Sequence, residues 1–368
     1  MGKVLFNIIS GQLQPNVIAI KNYNPDICVL FYTDSSIGQL NNLIETFQKI
    51  QFEKIKIDAW DYYQIYETVK STMNNYKDKE LLINFTCGTK IMSMACYNAG
   101  KEFNAKNIYV NTEANEISEF TDKQEKYKID VIDNIEEIFL LNGQKIKKSK
   151  DSISKEYEKF YNFILNNYKK YNDFINSFAR QFNKQKSEKS KLDGKIKDSV
   201  IKYDGQKGIV KLVFEGKTLY EHEEEGLEFL SFVIGGWFEY HCYKALQNIG
   251  YFDELQLNLK LQGKSVKPNS FYSDKNEIDI MGVKGVYPYL FECKTGAFNA
   301  QNIDKLFGIK DYIGRYSNLY IITYFPFDRN LEKNKNVVEK AKEKKIEIIT
   351  YNDLISKKIN FDKKANLR

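Results

Sequence analysis

The sequence predicts an α/β protein built from two α/β domains. Strand-length apolar runs alternate with helix-length stretches from residue 3 to residue 111. The same alternation returns after residue 226, and a lysine-rich stretch without it lies between. Alternation of this kind marks a mostly parallel sheet covered by helices. The 368 residues suffice for two domains, each with its own core. The expected division is 1–140, a connector or small accessory module at 141–225, and 226–368.

In chain order, residues 3–9 read as a buried strand, followed by the loop GQLQPN at 11–16. A second strand, ICVLFYT, covers about 27–33 and ends in Asp34-Ser35-Ser36. A helix is expected over 37–51, a short strand IKIDAW over 55–60, and a helix over 61–76 with apolar residues at helical spacing. LLINF at 81–85 is a continuous apolar strand, and TCGTK leads from it into an apolar helix at 91–100. NIYVN at 107–111 is the next strand. In the middle, a polar helix is expected near 151–185, then short strands near 199–202, 209–214 and 217–220. Beyond it come a helix at 227–247, strands near 255–261, 276–283 and 288–294, a helix at 301–313, a strand at 318–324, a helix at 331–343 and a strand at 345–349.

Composition narrows the function classes. Hydrophobic residues make up 42% and charged residues 28%, as in a folded soluble protein. No apolar run is long enough to cross a membrane, and MGKVLFNIIS reads as a first strand rather than a signal peptide. The formal charge of +6 favours a polyanionic partner without proving one. Lysines cluster at 145–150, 182–197 and 333–345, a pattern commoner on solvated surfaces than at sites. The five cysteines, Cys28, Cys87, Cys96, Cys242 and Cys293, have no paired short spacing. That argues against a disulfide framework and a structural zinc site, and for a reducing cytoplasm. With two histidines in the chain, a histidine-rich metal centre has little support.

Two constellations carry chemistry. NEIDIMG at 276–282 and PYLFECKTG at 288–296 read as a hairpin, with Gly285 in the link. Residues two apart share a strand face, so Glu292 and Lys294 project together and Asp279 reaches the same place from the neighbouring strand. Charges set among Ile278, Ile280, Phe291 and Cys293 are costly unless paired or metal-bound. Two such carboxylates suit Mg or Mn, with Lys294 positioning or activating water or offsetting phosphate charge. Glu239, beside Trp237 and Phe238 on the preceding helix, is a further candidate. The bland alternative is an ordinary charge pair on a strand. In the first domain, ligands bind beyond the carboxyl ends of parallel strands. Ser10, Gly11 and Gln12, then Thr33, Asp34 and Ser35, then Thr86 to Lys90 occupy those ends. TCGTK offers backbone N–H groups at a helix start, which suits an anion. It lacks the Walker A spacing, and no GxGxxG motif supports a dinucleotide. A tight turn with a helix cap is the alternative.

Helix with Glu239, strand with Asp279, hairpin, then Glu292-x-Lys294 resembles the restriction-endonuclease-like PD-(D/E)xK nucleases, although Ile278 stands where that pattern has proline. The SGQLQPN, TDSS and NFTCGTK segments resemble the CARF domain, a Rossmann-like sensor of cyclic oligoadenylates in type III CRISPR immunity. Thr86-Cys87-Gly88-Thr89-Lys90 replaces its usual threonine-glycine-glycine-threonine-lysine. The two resemblances cover about 1–140 and 226–368. Together they imply a cytoplasmic homodimeric endonuclease activated by cyclic tetra-adenylate and dependent on Mn or Mg. Asp279 and Glu292 would hold the metal, and Lys294 and Glu239 would complete the catalytic set. Ser10, Gln12, Thr33, Asp34, Ser35, Thr86, Gly88, Thr89, Lys90 and Met92 would contact the ring. Implied substrates are single-stranded RNA and DNA, with supercoiled DNA a further one. On the helix at 301–313, Gln301, Lys305 and Lys310 are candidates to line the groove, Lys305 foremost for phosphate. Tyr287, Tyr289 and Phe298 are candidates to stack on bases. The competing readings are a restriction or repair nuclease without nucleotide control, and a non-catalytic ligand-responsive nucleic-acid-binding protein.

Overall fold

The computed structural model describes residues 2–150, 152–185, 191–196, 198–204, 209–222, 226–262, 277–296, 298–314, 317–325, 327, 331–356 and 358–361. Asn276 of the expected hairpin and part of the lysine-rich 182–197 stretch lie outside the described residues. The architecture is α/β: a Rossmann-like domain followed by a further α/β domain.

In the first domain, β1 (Lys3–Ile8), β2 (Ile27–Tyr32), β3 (Gln51–Lys56), β4 (Glu80–Asn84), β5 (Lys106–Asn111), β6 (Glu116–Phe120) and β7 (Gln124–Lys128) form one sheet. Their order is β3-β2-β1-β4-β5-β6-β7. The first five run parallel, and β6 and β7 are antiparallel. Helices α1 (Gln14–Tyr23) and α2 (Ile37–Thr46) cover one face, and α3 (Tyr62–Asn74) and α4 (Lys90–Glu102) the other. Strand alternation divides the core accordingly: Leu5 packs with Val17 and Leu40, whereas Val4, Phe6 and Ile8 pack with Val69 and Ala95. Chain order reverses between β1 and β4, which makes their carboxyl ends a topological switch point.

After α5 (Ile135–Leu141) come β8 (Lys145–Lys150) and the long α6 (Lys155–Gln185). An antiparallel meander follows, of β9 (Lys191–Ile196), β10 (Ser199–Asp204), β11 (Ile209–Phe214) and β12 (Lys217–His222). Next come α7 (Gly226–Ser231), a π turn at Phe232–Gly236 and α8 (Trp237–Ile249). The last sheet contains β13 (Glu254–Gln262), β14 (Glu277–Lys284), β15 (Tyr287–Lys294), β16 (Asn318–Thr323) and β17 (Ile346–Thr350), and its order is β17-β16-β15-β14-β13-β8. Helices α9 (Ala300–Ile309) and α10 (Lys335–Glu343) cover one face. Helices α6 and α8 cover the other, with α11 (Tyr351–Ile355) at its margin.

Several elements differ from the sequence reading. Helix α1 takes in Gln14, Pro15 and Asn16 of the expected loop; Pro15 sits in its first turn, where the missing N–H costs nothing. Its residues Pro15 to Ile20 are all buried, so no amphipathic stripe announced it. Strand β3 starts at Gln51, four residues before the apolar run, because it is an edge strand with exposed alternate positions. Strand β8, in a lysine-rich stretch read as connector, pairs with β13.

Close approach of α4 to the sheet depends on Gly100. A Cβ there would lie 2.4 Å from Asn107 Oδ1 and 2.6 Å from Ile83 Cγ2. Gly100→Ala should destabilise the fold by about 1–3 kcal/mol despite its higher helix propensity. A melting temperature at or above that of the natural protein would contradict this packing.

Candidate active site and ligand-sensing loops

The β14–β15 hairpin positions the acidic residues of the second domain. Its register pairs Ile280 with Phe291 and Met281 with Leu290, so Asp279 and Glu292 lie side by side at the open end. Asp279 Oδ2 accepts the Cys293 N–H at 2.7 Å, which fixes that carboxylate against the backbone of the neighbouring strand. Asp279 is 6% exposed and Glu292 1%. The Lys294 ammonium lies 2.6 Å from Glu292 Oε1, and Lys305 of α9 lies 3.5 Å from Glu292 Oε2. Glu239 lies in the first turn of α8, directly after the π turn. A sequence without proline there gives no sign of that turn, and the expected helix at 227–247 is interrupted by it.

The strands break their usual alternation beside Asp279. Leu257 and Ile280 pack on the α8 side, whereas their second neighbours Leu259 and Ile278 pack on the α9 side. Asn258, between the two leucines, has φ +52°, the left-handed region that asparagine tolerates better than most residues. Its Oδ1 is buried and finds no hydrogen-bond partner among the described residues. Sequence reasoning did not single out Asn258. A bulge in a strand is set by backbone geometry that apolar spacing does not record.

Electrostatics confirm that these groups share one environment. Burial, then the Glu292 charge, pushes the Asp279 carboxyl up to about 7, against the opposing pull of Lys294, the Cys293 N–H and Lys305. Glu239 is pushed well above the carboxylate range by burial, then by Asp279, Glu277 and Glu292. Burial works against the Lys294 charge, but Asp279, Glu292 and Glu239 outweigh it and hold the ammonium protonated. Among the described residues, no three His, Cys, Asp or Glu side chains are arranged to hold a metal ion by themselves. The crowding of Asp279 and Glu292 nonetheless fits a hard divalent ion, which takes one or two carboxylates and fills its remaining positions with water.

The candidate groove and stacking residues disperse. Gln301 is exposed at the start of α9, and Lys310 lines a cavity between the domains rather than the acidic cluster. Tyr289 and Phe298 are buried, and the Tyr287 hydroxyl donates to Thr112 O at 2.5 Å.

In the first domain, the loops after β1, β2 and β4 open at the carboxyl edge of the parallel strands. Gly88 has φ +89°, and a Cβ there would lie 2.7 Å from Ile8 Cγ2, so glycine is required. Thr89 caps α4: its hydroxyl accepts the Met92 N–H at 3.2 Å and donates to Ala59 O at 2.8 Å. The Thr86 hydroxyl donates to Asn84 Oδ1 at 2.6 Å and accepts the Val110 N–H at 2.8 Å. Cys87 is buried beneath the first loop, its thiol against Gln12 O at 3.5 Å and Asn16 Oδ1 at 3.4 Å. Met92 is a core residue. Ser10, Gln12 and Thr33 are half-buried, whereas Asp34, Ser35 and Lys90 are exposed. Thr33, Asp34 and Ser35 line a cavity of about 550 Å³ with Lys56, Asp58 and Gln64, and Lys56 pairs with Asp34 at 2.8 Å. Beside it Trp60, Tyr63 and Met94 are 73%, 77% and 58% exposed. Sequence reading missed them because an apolar residue in a short helix or turn is read as core.

Residues 4–138 match the family model of the Card1 CARF domain. No curated protein matches the chain. Among solved structures it is similar to Can2 from Sulfobacillus thermosulfidooxidans in complex with cyclic tetra-adenylate. The TM-score is 0.71 at 17% identity, over 94% of this chain and 95% of that one. It is also similar to protein VC1899 from Vibrio cholerae, with TM-score 0.72 at 14% identity, over 96% of this chain and 95% of that one. A type III CRISPR defence DNA nuclease activated by cyclic oligoadenylate gives TM-score 0.56 at 12% identity, over 88% of this chain and 45% of that larger one. The first two likenesses extend over both domains and show a shared two-domain fold.

The raised Asp279 carboxyl has a consequence for stability. Between about pH 4 and 7 the folded protein holds a proton there that the unfolded chain releases, so metal-free stability falls as pH rises through that window. Melting of chelator-treated protein should therefore lose more stability on going from about pH 5 to 8 than melting of Asp279→Asn. Added Mn should restore more at the higher pH. Parallel melting profiles for the two proteins would rule out the crowding.

Proposed function

We propose that this chain is a metal-dependent endonuclease of antiviral CRISPR defence, switched on by a cyclic oligoadenylate. The carrying observation is that Asp279, Glu292, Lys294 and Lys305 meet at one end of a hairpin whose other end is embedded in the CARF domain. Can2 with its bound cyclic tetra-adenylate supports that ring as the activator. The nuclease activated by cyclic oligoadenylate supports the reaction class. The second domain is read as restriction-endonuclease-like, with Asp279, Glu292 and Lys294 as its core and Glu239 as the helix carboxylate.

Asp279 and Glu292 would hold Mn or Mg. When bound, the ion polarises a phosphoryl oxygen and lowers the pKa of a water. Lys294, kept charged by its carboxylate neighbours, cannot accept a proton near neutral pH. Its role is to offset charge growing on the phosphate rather than to act as a base. Lys305, which bonds Glu292 at 3.5 Å, is placed to turn toward the phosphate backbone. Single-stranded RNA and DNA are the proposed substrates, with supercoiled DNA nicked in addition.

The activating ring is read as lying against the loops of Ser10, Gln12, Thr33, Asp34, Ser35, Gly88, Thr89 and Lys90 in a cytoplasmic homodimer. The exposed Trp60, Tyr63 and Met94 at that edge support a second copy as partner. Thr86 and Met92 support the loop from within. Transmission runs through the hairpin turn. Val286 is buried in the CARF core, Gln14 Nε2 donates to Val286 O, and Asp133 N–H donates to Gly285 O at 2.9 Å. A shift in the loop of Gln12, passed to Gln14 at the start of α1, therefore acts on the strands that carry Asp279 and Glu292.

Cleavage of labelled single-stranded RNA, single-stranded DNA and supercoiled plasmid with Mn tests both halves. Cutting should appear with cyclic tetra-adenylate and fall by at least about a hundredfold in Glu292→Ala. Equal cutting without the ring would remove the gate. Undiminished cutting in the variant would remove the site.

A further inference from the structure

We infer that Phe325, backed by Tyr324 and Tyr168, is a stacking shelf for an unpaired base of the nucleic-acid substrate. The inference rests on the nuclease reading and adds a specificity-determining residue to it.

The placement follows from register. Strands β15 and β16 are parallel and pair Lys294 with Thr323. The next residue, Tyr324, donates its backbone N–H to Lys294 O at 3.0 Å, which ties the chain leaving β16 to the end of the catalytic strand. Phe325 comes one residue later. Its ring lies 5.2 Å from Tyr324 and 6.0 Å from Tyr168 of α6, and the Tyr168 and Tyr324 rings are 4.1 Å apart. Trp237 and Phe238, the two residues before Glu239, hold Tyr324 from behind at 5.7 and 5.4 Å. The shelf is thus anchored to the same helix and strand as the acidic cluster.

Exposure singles out Phe325. It is 47% exposed, and it is the only exposed aromatic among the described residues beyond Tyr127. Neighbouring aromatic rings are buried or half-buried in the α6–α8 core, so an outward phenylalanine costs hydrophobic free energy that a ligand would recover. Lys294 and Lys305, both paired with Glu292, stand at the adjoining end of β15, where a phosphate could compete for them. An aromatic face beside cations fits a single strand, whose bases are free to leave the helix stack and whose backbone is anionic. A duplex, with its bases paired inward, does not present a face to the ring.

The test is binding, so that it does not depend on cutting. Full-length Glu292→Ala protein with cyclic tetra-adenylate is titrated into an oligothymidylate carrying one 2-aminopurine. Stacking should quench that base. Adding Phe325→Ala should weaken binding by about tenfold and abolish the quench, and Phe325→Trp should restore both. With an abasic site in place of the base, the Phe325→Ala change should have no effect. Unchanged affinity and quench in Phe325→Ala would overturn the shelf, as would an equal loss on the abasic strand. If the natural protein binds the strand but never cuts it, the nuclease reading fails while the shelf stands or falls on the same titration.

Discussion

Like charges forced together out of water are the constraint around which the second domain is organised. Asp279 and Glu292 sit almost wholly buried on adjacent strands, and Glu239 faces them from α8. Replacing such buried charges by hydrocarbon of similar size is often neutral or stabilising. The fold contains the repulsion by three means: the Cys293 N–H on Asp279, the Lys294 ammonium on Glu292, and the more distant Lys305. In the strand next door Asn258 takes a left-handed φ and the strand alternation breaks. Such an arrangement fits the proposed binding of a divalent cation.

The hairpin that carries this site also reaches into the core of the first domain. Glu292 lies six residues from Val286, roughly 20 Å along an extended strand. Between those points Tyr289 to Phe291 are buried and paired on both sides, with β14 and β16. Its turn is held by Gln14, Asp133 and Thr112. A cavity of about 590 Å³ lies alongside, lined by Gly11 to Gln14, between β1 and the start of α1, and by Val286, Phe307 and Lys310. Lys305, which pairs with Glu292, lies on the same helix as Phe307.

How much of this the sequence disclosed depends on what each residue answers to. Asp279, Glu292 and Lys294 were legible because charge inside an apolar strand is a local anomaly, and strand periodicity fixes their facing. Gly88 and Thr89 were legible as a turn and a cap for the same local reason, and the structure gives both a physical cause. Helix α1 was hidden because it is buried all round. The place of β8 at the far edge of the last sheet was hidden because strand pairing across about a hundred residues leaves no trace in spacing. Tyr287, Tyr289 and Phe298 drew attention by being near the motif in sequence. Phe325, near it in space, did not, because parallel pairing of β15 with β16 joins segments about thirty residues apart.

Manganese binding followed by electron paramagnetic resonance bears most directly on the crowded carboxylates and their control. The natural chain should bind Mn, the Asp279→Asn and Glu292→Gln variants should lose that binding, and cyclic tetra-adenylate should tighten it in the natural chain, since linkage between the two ligands is reciprocal. Manganese that binds equally to all three proteins, and with the same affinity whether or not the ring is present, would contradict the account.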